Sequence, residues 1–97
     1  MTSLPLSYKK IFISGGSRGI GASICQIVAA KGAQVAFTYS SREDAAKKIL
    51  DSLPGSGHFY MKMDLNDESS IEGVCAQVLE KFGGEIDGLV NNAGLTK

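Results

Sequence analysis

The residues of this chain best suited to chemistry are Ser14-Gly15-Gly16-Ser17-Arg18-Gly19-Ile20-Gly21. Gly15, Gly19 and Gly21 give a G-x-x-x-G-x-G spacing between an apolar run, Ile11-Phe12-Ile13, and an amphipathic stretch from Ile20 to Lys31. That context reads as strand, tight turn, helix. A turn of this kind brings backbone N–H groups to a phosphate at the positive end of a helix. Gly15 would permit the sharp turn, Gly19 would leave room for the ligand beside the backbone, and Gly21 would let the helix lie close on the strand. The segment is not a P-loop, because no Gly-Lys-Ser/Thr follows. A merely structural turn is the competing reading, and the strand before and helix after weigh against it.

Three further segments stand where a dinucleotide would need them. Thr38-Tyr39-Ser40-Ser41-Arg42 ends the second apolar run without an acid. A site for NAD places Asp or Glu there to accept bonds from the ribose 2′-OH. A 2′-phosphate, with roughly two negative charges, would instead meet Arg18, the Ser40 and Ser41 hydroxyls, and Arg42. The pattern favours NADP(H) over NAD(H), although Arg42 alone reads equally well as a solvated residue of a first helical turn. Asp64-Leu65 follows the third run, and its acid could accept a bond from the adenine amino group or simply help to start the next helix. Asn91-Asn92-Ala93-Gly94 follows the fourth. Its amides can tie neighbouring strand ends together, and its small residues let a ribose pass close by. Taken alone it would be an ordinary Asn-rich turn.

The elements that must hold these residues alternate along the chain. Strands are expected at Lys10–Ser14, Gln34–Tyr39, His58–Met63 and Ile86–Val90. The consecutive apolar residues of the first suit a strand covered on both faces. The first helix carries Ile20, Ile24, Ile27 and Val28 at helical spacing. The second, over Arg42–Leu53, has a stripe of Ala45, Ala46, Ile49, Leu50 and Leu53, with Ser41 and Asp44 spaced as a capping box. The third, capped by Asn66 or Asp67 and running to Phe82, shows Ile71, Val74, Cys75, Val78, Leu79 and Phe82 on one face. Met1 to Tyr8 reads as a loose lead-in in which Pro5 argues against pairing. Alternating strands and helices predict an α/β fold, a Rossmann-type parallel sheet in the order 3-2-1-4 with helices on both faces. The ligand crevice is then expected between the first and fourth strands.

Composition narrows the rest. Ten basic and ten acidic residues give a formal net charge of zero, so nothing points to nucleic acid or to an anionic membrane surface. No apolar run approaches the length of a spanning helix, and Met1–Tyr8 lacks the pattern of a secretion signal. Cys25 and Cys75 are expected as two buried thiols in a reducing cytoplasm. One histidine and no Cys-x-x-Cys leave no metal site to expect. His58, at a strand start, reads as a surface or structural residue.

Together, the Gly-rich turn, Asp64-Leu65 and Asn91-Asn92-Ala93-Gly94 resemble the short-chain dehydrogenase/reductase family, from about Lys10 to the last residue. The turn Ser17-Arg18-Gly19-Ile20-Gly21 and the ending Asn91-Asn92-Ala93-Gly94-Leu95-Thr96-Lys97 are most similar to the ketoreductases of bacterial-type fatty-acid synthesis. The resemblance implies that residues 1–97 are the N-terminal, NADP(H)-binding part of one Rossmann domain. Gly15, Ser17, Arg18, Gly19, Ile20 and Gly21 would serve the pyrophosphate and 2′-phosphate, with Ser40 and Arg42 near the latter. Asp64 and Leu65 would lie near adenine, and Asn91, Asn92, Ala93 and Gly94 near the nicotinamide ribose. It also implies reduction of a small-molecule or acyl-thioester carbonyl, acyl carrier protein as a partner, and a homotetramer when complete. Ser14, where relatives often have Thr, keeps the hydroxyl, and Gly83-Gly84 lengthens a surface turn.

Members of the family protonate the developing alkoxide with a Tyr-x-x-x-Lys pair, the Lys lowering the Tyr pKa. Here Tyr8, Tyr39 and Tyr60 are followed four residues on by Phe12, Glu43 and Asp64. No catalytic residue is therefore expected in this chain. A fourth strand left as an open apolar edge would invite further strands, so the chain is expected to continue or to be completed by another segment. A non-catalytic dinucleotide-binding module, or a reductase of a different carbonyl, are the alternatives.

Overall fold

The computed structural model describes residues 4–16 and 19–92. Four strands, β1 (Lys10–Ser14), β2 (Gln34–Tyr39), β3 (Phe59–Lys62) and β4 (Gly88–Asn91), form one parallel sheet in the order β3-β2-β1-β4. Helices α1 (Gly19–Ala30), α2 (Glu43–Ser52) and α3 (Glu68–Lys81) make the crossovers. Ile13 pairs with Phe37 on one side and Val90 on the other, and Tyr39 pairs with Lys62. All four strands therefore end at the same edge of the sheet. This is the Rossmann-type order that the alternation of elements predicts.

Strand alternation divides the core in two. Ile13, Val35 and Phe37 face α1 and α2 and pack with Cys25, Ala29, Ala46 and Leu53. Phe12 and Ala36 face the other way and pack with Met63, Val74, Val78 and Phe82 of the α3 layer. Phe37 is fully buried, which stabilises the fold by about 2–3 kcal/mol relative to an exposed ring. Tyr60 lies against it with ring centroids 5.8 Å apart.

The first helix departs from the expected stripe. Its buried residues are Gly21, Ala22, Cys25 and Ala29, with Ile24 and Val28 at the flanks. Ile20 is 72% and Ile27 55% exposed. The cause is proximity. A helix whose second turn touches the backbone below it can present only small side chains there, so the large ones swing outward. The third helix is corrected in a related way. Val74, Val78 and Phe82 are buried, Ile71 packs at the margin, Leu79 is 42% exposed and Cys75 is exposed. One ridge at i, i+4, i+8 reaches the sheet, and Cys75 falls beside it rather than on it.

Three termini also differ from expectation. The second helix has Arg42 at its N-cap with no side-chain cap bond, so Ser41 and Asp44 form no capping box. Asp44 is engaged by Arg42 instead. The third helix, by contrast, is capped by one of its two expected residues, Asp67, whose side chain accepts from the Ser69 and Ser70 N–H groups. The lead-in is not loose over residues 4–8. It turns over the end of α1, where Leu6 N–H donates to the Lys31 carbonyl at 2.7 Å and the Leu6 side chain joins the core. Strand β3 begins one residue later than expected because the His58 side chain takes a backbone role. Its Nδ1 accepts from Val35 N–H at 3.0 Å and its Nε2 lies 2.7 Å from the Pro54 carbonyl. That is the structural role read from its position.

Two measurements test this packing. A Cβ added at Gly21 would overlap the Gly15 carbonyl oxygen and stand 2.7 Å from Asn92 Nδ2. Gly21→Ala should therefore cost about 1–3 kcal/mol in urea unfolding, despite alanine's better helix propensity; an unchanged midpoint would contradict the close approach. Burial pushes the Cys25 thiol up to about 12, so it stays protonated and unreactive at about pH 8. A disulfide reagent should label Cys75 at once and Cys25 only after denaturant is added.

Candidate functional site at the carboxyl edge of the sheet

The site is built on the peptide that leaves β1. Gly15 turns with φ 73°, and Gly19, the first residue of α1, has φ 61°. Both lie in the left-handed region where glycine carries no steric penalty. The Gly15 N–H donates to Thr38 Oγ1 at 2.9 Å, and the Gly16 N–H to the Thr38 carbonyl at 3.0 Å. On the other side Asn92 Nδ2 donates to the Gly15 carbonyl at 3.1 Å. The turn is thus fastened to the strand end on each flank, β2 by Thr38 and β4 by Asn92. Ser14, 5% exposed, adds hydroxyl contacts to Asn91 Oδ1 at 3.2 Å and to the Val90 carbonyl at 3.4 Å.

What this frame presents is the start of α1. No acidic residue occupies its first turn, so no side chain of that turn opposes the positive end of its dipole. Among the described residues, and apart from its chain neighbours and its own helix backbone, nothing stands within 4 Å of where a Gly19 Cβ would be. Among the described residues the Gly19 side of the helix start is therefore open, as an approaching phosphate requires. The contrast with α2 is direct, because Glu43 and Asp44 fill its first turn. An anion is favoured at the first helix and opposed at the second unless those carboxylates are otherwise engaged.

They are engaged. Tyr60 Oη donates to Glu43 Oε2 at 3.2 Å. Arg42 holds Asp44 through two bonds, Nε to Oδ1 at 3.0 Å and Nη2 to Oδ2 at 2.9 Å. The hydrogen bonds from Arg42 hold the Asp44 carboxyl down at about 2. Partial burial, and then the Glu43 carboxylate, raise the Tyr60 phenol above its ordinary value.

Of the site residues expected from sequence, the structure brings Gly15, Gly19, Ile20, Gly21, Asn91 and Asn92 to the junction of β1, β4 and α1. Ser40 and Arg42 follow β2 and are exposed. Asp64 and Leu65 follow β3 at the same edge, and both are exposed. Asp64 Oδ1 accepts from Asn66 N–H at 2.9 Å, and its own N–H donates to Ser70 Oγ at 3.0 Å. It therefore helps to start α3, as one of its two readings anticipates. Ser17, Arg18, Ala93 and Gly94 lie outside the described residues. Thr38 was read from sequence only as a strand residue. Its signal was available: a hydroxyl at the end of a doubly covered strand is buried and must find a partner.

These residues fit a dinucleotide pyrophosphate: a glycine turn, an uncompensated helix start and open space in front of it. Comparison with known proteins agrees. Residues 9–97 match the family model described as short chain dehydrogenase. The 3-oxoacyl-[acyl-carrier-protein] reductase FabG of Escherichia coli (strain K12) is 43% identical over 89 residues, which is 92% of this chain and 35% of that protein. Hydroxynaphthalene reductase arp2 of Aspergillus fumigatus is 35% identical over 98 residues, 99% of this chain and 36% of the relative. Among solved structures, a short-chain dehydrogenase/reductase from Serratia marcescens superposes with a TM-score of 0.85 at 39% identity, covering 91% of this chain and 36% of its own. A short chain dehydrogenase from Burkholderia cenocepacia in complex with NADP gives 0.85 at 36% identity, covering 95% and 38%. The chain thus spans about a third of the length of the relatives it matches. With its sheet order, its glycine turn and these matches, the chain belongs to the short-chain dehydrogenase/reductase family.

Proposed function

We propose that residues 1–97 form the cofactor-binding part of an NADPH-dependent carbonyl reductase, and that the carbonyl is a 3-oxoacyl thioester carried on acyl carrier protein. The observation that carries the cofactor reading is the open, acid-free start of α1 behind the fastened Gly15 turn. NADPH, when bound, supplies the hydride. The residues of this chain bind and orient. The amides that follow Gly16, through Gly21, receive the pyrophosphate, the Gly15 and Gly16 N–H groups being bonded to Thr38, and Asn91, Asn92, Ala93 and Gly94 flank the ribose nearest the nicotinamide. Asp64 and Leu65 border the adenine. Ser17, Arg18, Ser40 and Arg42 receive the 2′-phosphate, and the commitment of Glu43 to Tyr60 supports this by keeping one carboxylate occupied elsewhere.

The thioester substrate rests on likeness to 3-oxoacyl-[acyl-carrier-protein] reductases. The similarity to a hydroxynaphthalene reductase favours a second reading, a reductase of another carbonyl. None of the tyrosines of these 97 residues is the donor of the proton to the alkoxide in this reading, since none has a Lys four positions on. The complete protein is proposed to work in the cytoplasm as a tetramer.

Arg18→Ala tests the cofactor assignment. A charge-assisted bond contributes about 1.5–3 kcal/mol, so calorimetric titration should show NADPH affinity falling roughly tenfold or more while NADH is unmoved. Equal losses for the two cofactors would sink the NADP(H) assignment.

A further inference from the structure

Arg42 and Asp44 make the one ion pair found among the described residues, and it stands just beyond the end of β2. That strand borders the glycine turn through Thr38. The pair is bidentate, with both Nε and Nη2 of the guanidinium committed to the carboxylate. The side chains are 66% and 65% exposed, so neither is required by the core. The Arg42 side chain makes no cap bond to α2. The hydrogen bonds from Arg42 hold the Asp44 carboxyl down at about 2 and keep it ionised, and the start of α2 favours a carboxylate there in any case. Glu43, the neighbouring acid, is turned to Tyr60 Oη and does not share the guanidinium.

The segment after β2 therefore contributes a neutral pair where its arginine alone would contribute a full positive charge. An adenosine 2′-phosphate that uses Arg42 must compete with Asp44 for the same N–H groups. An adenosine with a free 2′-hydroxyl faces no such competition. We propose that Asp44 is a specificity-determining residue, which limits the preference for a 2′-phosphorylated dinucleotide by holding Arg42 in a neutral pair. The inference rests on the NADP(H) reading above and adds to it a residue that opposes the preference.

The test is titration of the 97-residue chain with NADPH and NADH at low ionic strength. Asp44→Asn should tighten NADPH about three- to fivefold, the fold-change of an exposed charge pair, with NADH unmoved. The gain should shrink as salt is added. Arg42→Ala should weaken NADPH, and the Arg42→Ala/Asp44→Asn double variant should lack the gain, because no guanidinium remains to be released. Asp44→Ser keeps a short polar residue in the first turn of the helix and must move the NADPH-to-NADH ratio the same way. If the native chain prefers NADPH and both Asp44 variants leave the ratio unchanged or lower it, the masking role is wrong and the cofactor reading stands. If the native chain binds neither dinucleotide, the cofactor reading fails and takes this inference with it.

Discussion

One residue constrains most of this structure. The Gly15 N–H is held by the Thr38 hydroxyl and its carbonyl by the Asn92 amide. Gly21 presses against that same carbonyl from the second turn of α1. Three elements thus converge on one residue, and each contact limits what the others can be. The helix must be small where it crosses the strand, which is why alanine and cysteine rather than isoleucine fill its inner face. The strand ends must carry short polar side chains, which is why Ser14, Thr38, Asn91 and Asn92 gather at one edge of an otherwise apolar sheet.

The same constraint determines where charge goes. With the first turn of α1 free of acid and that of α2 rich in it, the two helix starts on this face differ in sign. Neighbouring donors, Tyr60 for Glu43 and Arg42 for Asp44, absorb the acids of the second. Exposed pairs of this kind add little to stability. Their consequence is electrostatic: the Arg42–Asp44 pair leaves the end of β2 with less positive potential than the guanidinium alone would give.

The fold was largely legible in the residues because alternation, turn residues and apolar runs all agree on it. The order β3-β2-β1-β4 follows from strands joined by helical crossovers. The glycine turn was legible for the same reason, since its strand and helix flank it in sequence. What periodicity could not show was which side of an apolar helix touches the sheet. Helix α1 is apolar on several faces, and its choice of Gly21, Ala22, Cys25 and Ala29 depends on a close approach that only the Gly15 carbonyl explains. Cys75 and Leu79 were misread because a helix meeting the sheet along one ridge buries fewer residues than its apolar stripe offers. The Thr38 and Asn92 ties join residues 23 and 77 positions apart from Gly15, and no local pattern reports a partner at that range.

The bond from Leu6 to the Lys31 carbonyl has a mechanical reading. It clips the segment leading into β1 onto the far end of the helix that follows β1, so strand, turn and helix form a closed link. Tension applied at the amino terminus would load that clip before it reached the sheet, leaving the glycine turn at the opposite end of the link unstrained.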